Sequence, residues 1–171
     1  RLLPLPVCDD PVVSLRISVA SLLVPPSLMV DGDRLALLAA IILRQALAHG
    51  RSAETGIAFV AWALWESGKK IDPTRIRLLF DASRSLAEAA EDSIASHSIR
   101  AYAGVFGLLW TESYDQGIQR LRRLYNEGIE LGNFQFSSHA AHLLLQGQLY
   151  HGFPLSDMFG AIQRSRAEMS E

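Results

Sequence analysis

Cysteine is almost missing from this chain: Cys8 stands alone among 171 residues. One thiol excludes an internal disulfide framework and any multi-thiolate metal cluster, and a reducing cytoplasm is the compartment it fits. No uninterrupted apolar run reaches the ~18 residues that a bilayer crossing needs. The longest, Leu35 to Leu43, stops at Arg44 and is expected to be a buried helix with no membrane span. An excess of positive charge is missing too. The net charge is −2, whereas a nucleic-acid module normally carries a basic face, so no nucleic-acid partner is expected. The chain begins at Arg1 without an initiator methionine or a signal-peptide pattern, and is read as a piece of a larger protein.

Catalytic signatures are equally scarce. His139 and His142 stand at i and i+3, whereas zinc-protease chemistry needs two histidines four apart with a glutamate between them. No cysteine or carboxylate cluster lies near enough in sequence to complete a ligand set, so no metal is expected and both rings are assigned to helix packing or to the lining of a groove. Ser67-Gly68-Lys69-Lys70 lacks the upstream glycine and the following hydroxyl of a phosphate loop. No Gly-x-Ser-x-Gly elbow anchors hydrolase chemistry. The expectation is therefore a chain that is not itself an enzyme and holds no cofactor. The basic spots, Arg120, Arg122 and Arg123 with Lys69, Lys70, Arg75 and Arg77, read as solvated helix faces, with docking of an acidic partner as the alternative.

What is present is apolar and helical. Hydrophobic residues make up 49% of the chain and the mean hydropathy is +0.16, so much apolar surface must be packed inside or against a neighbour. Asp9 or Asp10 followed by Pro11 starts a first helix that runs to about Val24, where Pro25-Pro26 is expected to stop it. A second helix follows Asp31-Gly32-Asp33 and runs from Arg34 to His49. The third starts after Ser52 and runs to Glu66, and the fourth begins at Asp72-Pro73. The fifth covers Asp92 to Trp110, the sixth Tyr114 to Leu131, the seventh Phe134 to Tyr150 and the eighth Leu155 to about Met169. No stretch alternates with period two between hairpin turns, so no sheet is expected.

The third, fifth and seventh helices superpose in sequence. Ala61, Ala101 and Ala141 are evenly spaced, and the same offset aligns Ala58 with Ser98 and Ser138, and Trp62 with Tyr102 and His142. A small residue at a fixed helix position lets a partner helix come close, as stacked helix hairpins require. The spacing exceeds the ~34 residues of a tetratricopeptide repeat and approaches the ~40 of HEAT repeats. The fold expected is all-α, a right-handed stack of antiparallel helix hairpins of about eight helices. In this single domain, residues 1–50 lead in and 52–91, 92–132 and 133–171 form repeat-like hairpins. The aromatic set Trp62, Trp65, Tyr102, Phe106 and Trp110, with His142, either packs between repeats or lines a concave groove. Aromatic anchors suit a peptide groove because they supply contact area at low entropic cost.

The stretch from Trp110 to Gly117 (WTESYDQG), followed by Leu121 to Phe136 (LRRLYNEGIELGNFQF), carries a resemblance, as do Leu43 to Gly50 and Leu2 to Pro26. Together they resemble the helical-repeat region of very large bacterial signalling proteins. There, serine/threonine-kinase-like and AAA-type NTPase domains precede tetratricopeptide-like repeats, and GAF and histidine-kinase domains often follow. The chain departs from that pattern at Phe136-Ser137, where the family usually shows tyrosine-alanine. It also resembles the helical arm of MalT-like transcriptional activators. The resemblance implies a signal-relay segment whose partners are proteins, peptides or adjoining domains. The apolar first helix (Val12, Leu15, Val19, Leu22, Leu23) and eighth helix (Leu155, Met158, Phe159, Ile162) suggest a homodimer through an end helix. The rival expectation is a small-molecule sensor with an apolar pocket inside the bundle.

Overall fold

The computed structural model describes residues 5–69, 72–90, 93–111, 113–150, 152 and 154–168. Among these, nine α-helices follow one another: α1 Pro11–Leu22, α2 Val24–Val30, α3 Gly32–His49, α4 Gly56–Ser67, α5 Pro73–Glu88, α6 Ser93–Thr111, α7 Tyr114–Glu130, α8 Phe134–Tyr150 and α9 Leu155–Glu168. A short 3-10 turn, Ala53–Thr55, precedes α4. The described residues hold no strand, only one isolated parallel bridge between Val7 and Arg51. The chain is all-α.

The helix starts follow local chemistry. The Asp10 carboxylate accepts from the amides of Val12 (2.8 Å) and Val13 (3.3 Å), with Pro11 in the first turn of α1. The Asp31 carboxylate accepts from the Asp33 amide at 3.0 Å, so α3 starts at Gly32 rather than at Arg34. Asp72 caps α5 through the Thr74 amide at 2.9 Å. Ser113 and Gln116 close a capping box on α7. Pro25 and Pro26 do not end the helical path. Both lie in the first turn of α2, where a missing N–H breaks no intrahelical bond, so the chain turns at Leu23 and goes on.

Each helix from α3 onward packs on its successor in sequence, while α1 and α2 both lie on α3. A second relation skips one helix: α4 touches α6, and α6 touches α8. The core runs through these contacts, with Ile17 and Ile42 from α1 and α3, Val60 from α4, Phe80 from α5 and Ala101 from α6 all buried. Ala61, Ala101 and Ala141 are buried as well, at 0%, 0% and 7% exposure. Gly107 meets the Phe80 ring face closely enough that a Cβ there would lie 3.0 Å from it. At Gly128 on α7 a Cβ would run into the Ser137 hydroxyl and lie 2.7 Å from His97 Cε1. His97 itself is fully buried. Its Nε2–H donates to the Leu124 carbonyl (2.8 Å) and its Nδ1 accepts from Asn133 Nδ2 (3.0 Å), tying α6 to α7 and to the start of α8.

The first helices differ from the expectation in one further respect. Pro11–Leu28 has a mean hydropathy of 1.4 over 18 residues, long and apolar enough by length and composition to cross a membrane. Counting uninterrupted runs misses it, because Arg16 and several serines interrupt a segment that is apolar on average. In the fold its core side is occupied: Val13, Ile17 and Ala20 are buried, while Val12, Leu15, Val19 and Leu22 are exposed.

Candidate functional site

A cavity of about 510 Å³ is lined by residues of α1 and α2, of α6 and of the start of α8, together with Glu54 and Ile57. Helical spacing explains why these residues meet. Ser18, Ser21 and Leu22 share one side of α1 at i, i+3 and i+4, and Ile94, Ser98 and Tyr102 repeat every four residues along α6. The first-turn prolines of α2 and Phe136 in the first turn of α8 also line it. The walls are mostly apolar.

Two aromatic contacts organise the inner wall. Tyr102 stacks on Phe106 with ring centroids 5.9 Å apart, and meets Phe136 edge-on at 4.6 Å and 72°. Tyr102 is 7% exposed, and its hydroxyl has no hydrogen-bond partner among the described residues. Desolvation by burial raises its pKa above the ordinary phenol value. Opposite, Glu54 Oε1 accepts from the Ser18 hydroxyl at 2.7 Å. The carboxylate has no cationic partner among the described residues, and no other described lining residue is charged. Ser21 turns its hydroxyl back to the Ser18 carbonyl, and Ser98 accepts from Asn133 Nδ2 at 2.9 Å.

Comparison with protein-family models, with curated proteins and with solved structures finds no match.

Of the six residues singled out in the sequence, the five with described side chains fall in three places. Tyr102 lines the cavity, with Phe106 stacked behind it. Trp62 and Trp65 form a separate cluster on α4, with ring centroids 5.4 Å apart. Trp62 Nε1 donates to the buried Glu66, which also pairs with Arg75 of α5 at 2.7 Å. Trp65 Nε1 donates to Asp33 of α3 at 2.9 Å, and Lys69 covers its ring at 4.0 Å. The Trp65 bond, followed by the Lys69 charge, lowers the Asp33 pKa. The Trp65 bond and the Glu66–Arg75 pair join α4 to α3 and α5, and both indoles stay partly exposed. His142 is exposed on α8, its Nε2 accepting from Gln146 at 3.0 Å, while His139 donates from Nδ1 to the Gln135 carbonyl. The Trp110 side chain and Lys70 lie outside the described residues.

Glu54, Ser18, Ser21 and Phe136 are the cavity residues that sequence reasoning passed over. Glu54 was legible only as an acid near the positive end of a helix, a role that says nothing about which helices face it. Phe136 had a signal, since it replaces the tyrosine of the resembling pattern. Among the described residues no three His, Cys, Asp or Glu side chains come together in a way that holds a metal.

Proposed function

We propose that this chain is a non-enzymatic interaction and signal-relay module, a right-handed tetratricopeptide-like stack of antiparallel helix hairpins from a cytoplasmic bacterial multidomain signalling protein. One observation carries the reading: α4, α6 and α8 contact one another in order, with α5 and α7 each packed between successive members. A stack of hairpins has this neighbour pattern, and its inner layer leaves a concave side for a partner. The even spacing of the buried Ala61, Ala101 and Ala141 supports the same register. The partners proposed are a protein or peptide segment or the adjoining domains of the same chain, with no nucleic acid and no membrane span; the helical arm of a MalT-like regulator is the alternative context. Pro11–Leu28 is read as a packed helix pair because its inner side already faces α3. Random-peptide display on the purified chain tests the module. A shared apolar consensus whose binding is lost in Phe136→Glu supports it, and the lack of any enriched sequence argues against it.

The cavity favours a second reading, a small-molecule sensor. Its volume of about 510 Å³ lies within the range of drug-sized ligand sites, and its few polar groups sit on apolar walls.

A further inference from the structure

We infer that the cavity between α1–α2 and α6 takes an amphipathic organic cation, a compact apolar body carrying one basic nitrogen. The inference rests on the sensor reading and names its ligand class.

Charge decides first. Glu54 is the only charged residue among the described lining, and its sole partner is the Ser18 hydroxyl. An anionic ligand would meet a carboxylate with no lysine, arginine or histidine among the described lining residues to offset it. A purely apolar ligand would drive water from half-buried Glu54, leaving its charge only the Ser18 hydroxyl, and from the Tyr102 hydroxyl, which is costly for polar groups removed from water. A protonated amine supplies the missing donor to Glu54 as a charge-assisted hydrogen bond. The remaining surface suits the rest of such a molecule. Leu22, Pro25, Ile57 and Ile99 offer apolar walls, and Tyr102 and Phe136 present rings to a cation or to an aromatic body. Tyr102 is the second, independent pointer. It is more than nine-tenths buried, lines the cavity, and its hydroxyl is unpartnered.

The experiment titrates isotopically labelled chain with phenethylamine and with its near-isosteric neutral analogue phenethyl alcohol, following amide shifts by NMR. Expected is amine binding at least about tenfold tighter than the alcohol, with shifts concentrated in Ser18–Leu22, Glu54–Ile57 and Ile94–Tyr102. Glu54→Gln keeps the shape and the bond to Ser18, and should erase the difference between the two probes. Tyr102→Phe should weaken both probes alike. Equal binding of amine and alcohol to the parent chain in this cavity overturns the cation inference and leaves the sensor reading standing. No binding of either probe, or shifts confined to another surface, overturns both. The shift map on the parent chain decides the location even if a variant fails to fold.

Discussion

Tyr102 serves two purposes with one side chain: its ring packs against Phe106 and Phe136, and it lines the cavity. Its phenol pKa is raised by burial in the fold and lies near the ordinary value of about 10 in the unfolded chain. Below that value both states keep the proton and the full stability is present. Above it the unfolded chain releases the proton first, so stability falls as pH rises. Urea midpoints should therefore drop between about pH 9 and about pH 11. Tyr102→Phe should flatten that slope, and an equal slope in the variant would show that other groups carry it. The three evenly spaced alanines make a steric test at the same scale. Ala61→Leu, Ala101→Leu and Ala141→Leu should each cost roughly 1–3 kcal/mol by overpacking, read as a fall in the chemical denaturation midpoint. Parent-like behaviour of all three would sink the register that aligns them. Ala61 and Ala101 were legible as contact positions because small size at a repeated place is itself a packing statement. The Trp65 partner Asp33 and the Arg75 that pairs with Glu66 were not, because they sit on neighbouring helices whose facing sides no single-chain periodicity specifies.

At the scale of elements, glycine separates two kinds of helix. Gly128 lets α7 approach α8 so closely that a Cβ would meet the Ser137 hydroxyl and the His97 ring. Gly128→Ala should push the helices apart at a cost on the order of 1–3 kcal/mol. Gly32 opens α3 with no atom within 4 Å of a built Cβ and no positive φ. Gly32→Ala should raise stability by about 0.4–1 kcal/mol, because it removes freedom from the unfolded chain without a clash. Thermal melts of the two variants should move in opposite directions, and a shared direction would contradict the packing described at α7–α8. Helix starts were readable because caps are local: Asp10, Asp31 and Asp72 each satisfy amides two or three residues ahead. The turn at Leu23 was not. A proline pair reads equally as the end of one helix or the first turn of the next, and packing of α1 and α2 on α3 selects the second.

At the scale of the molecule, apolar surface is left over at both ends. On α1, Val12 is 55% exposed, Leu15 63% and Val19 50%; on α9, Leu155 is 71% exposed and Phe159 61%. Helices that are apolar on their outer face tend to acquire a partner. The purified chain should self-associate through one end helix, most simply as a two-fold dimer. Light scattering should show the mean mass rising with concentration, and Leu15→Glu combined with Val19→Lys should abolish the rise if α1 is the surface. A strict monomer at high concentration would mean that these faces belong to contacts within a larger chain and do not drive self-assembly.

Composition, periodicity and caps were enough to specify an all-helical chain, most helix boundaries and the apolar faces of the end helices, because each depends on residues within a few positions of one another. The cavity belongs to tertiary structure alone. Ser18, Glu54, Tyr102 and Phe136 are scattered over most of the chain, and only the packing of α1, α6 and α8 around the turn before α4 brings them to one cavity. A carboxylate whose partner is a serine hydroxyl acquires meaning there because the fold supplies apolar neighbours and, among the described lining residues, no cation, a condition that no local pattern encodes.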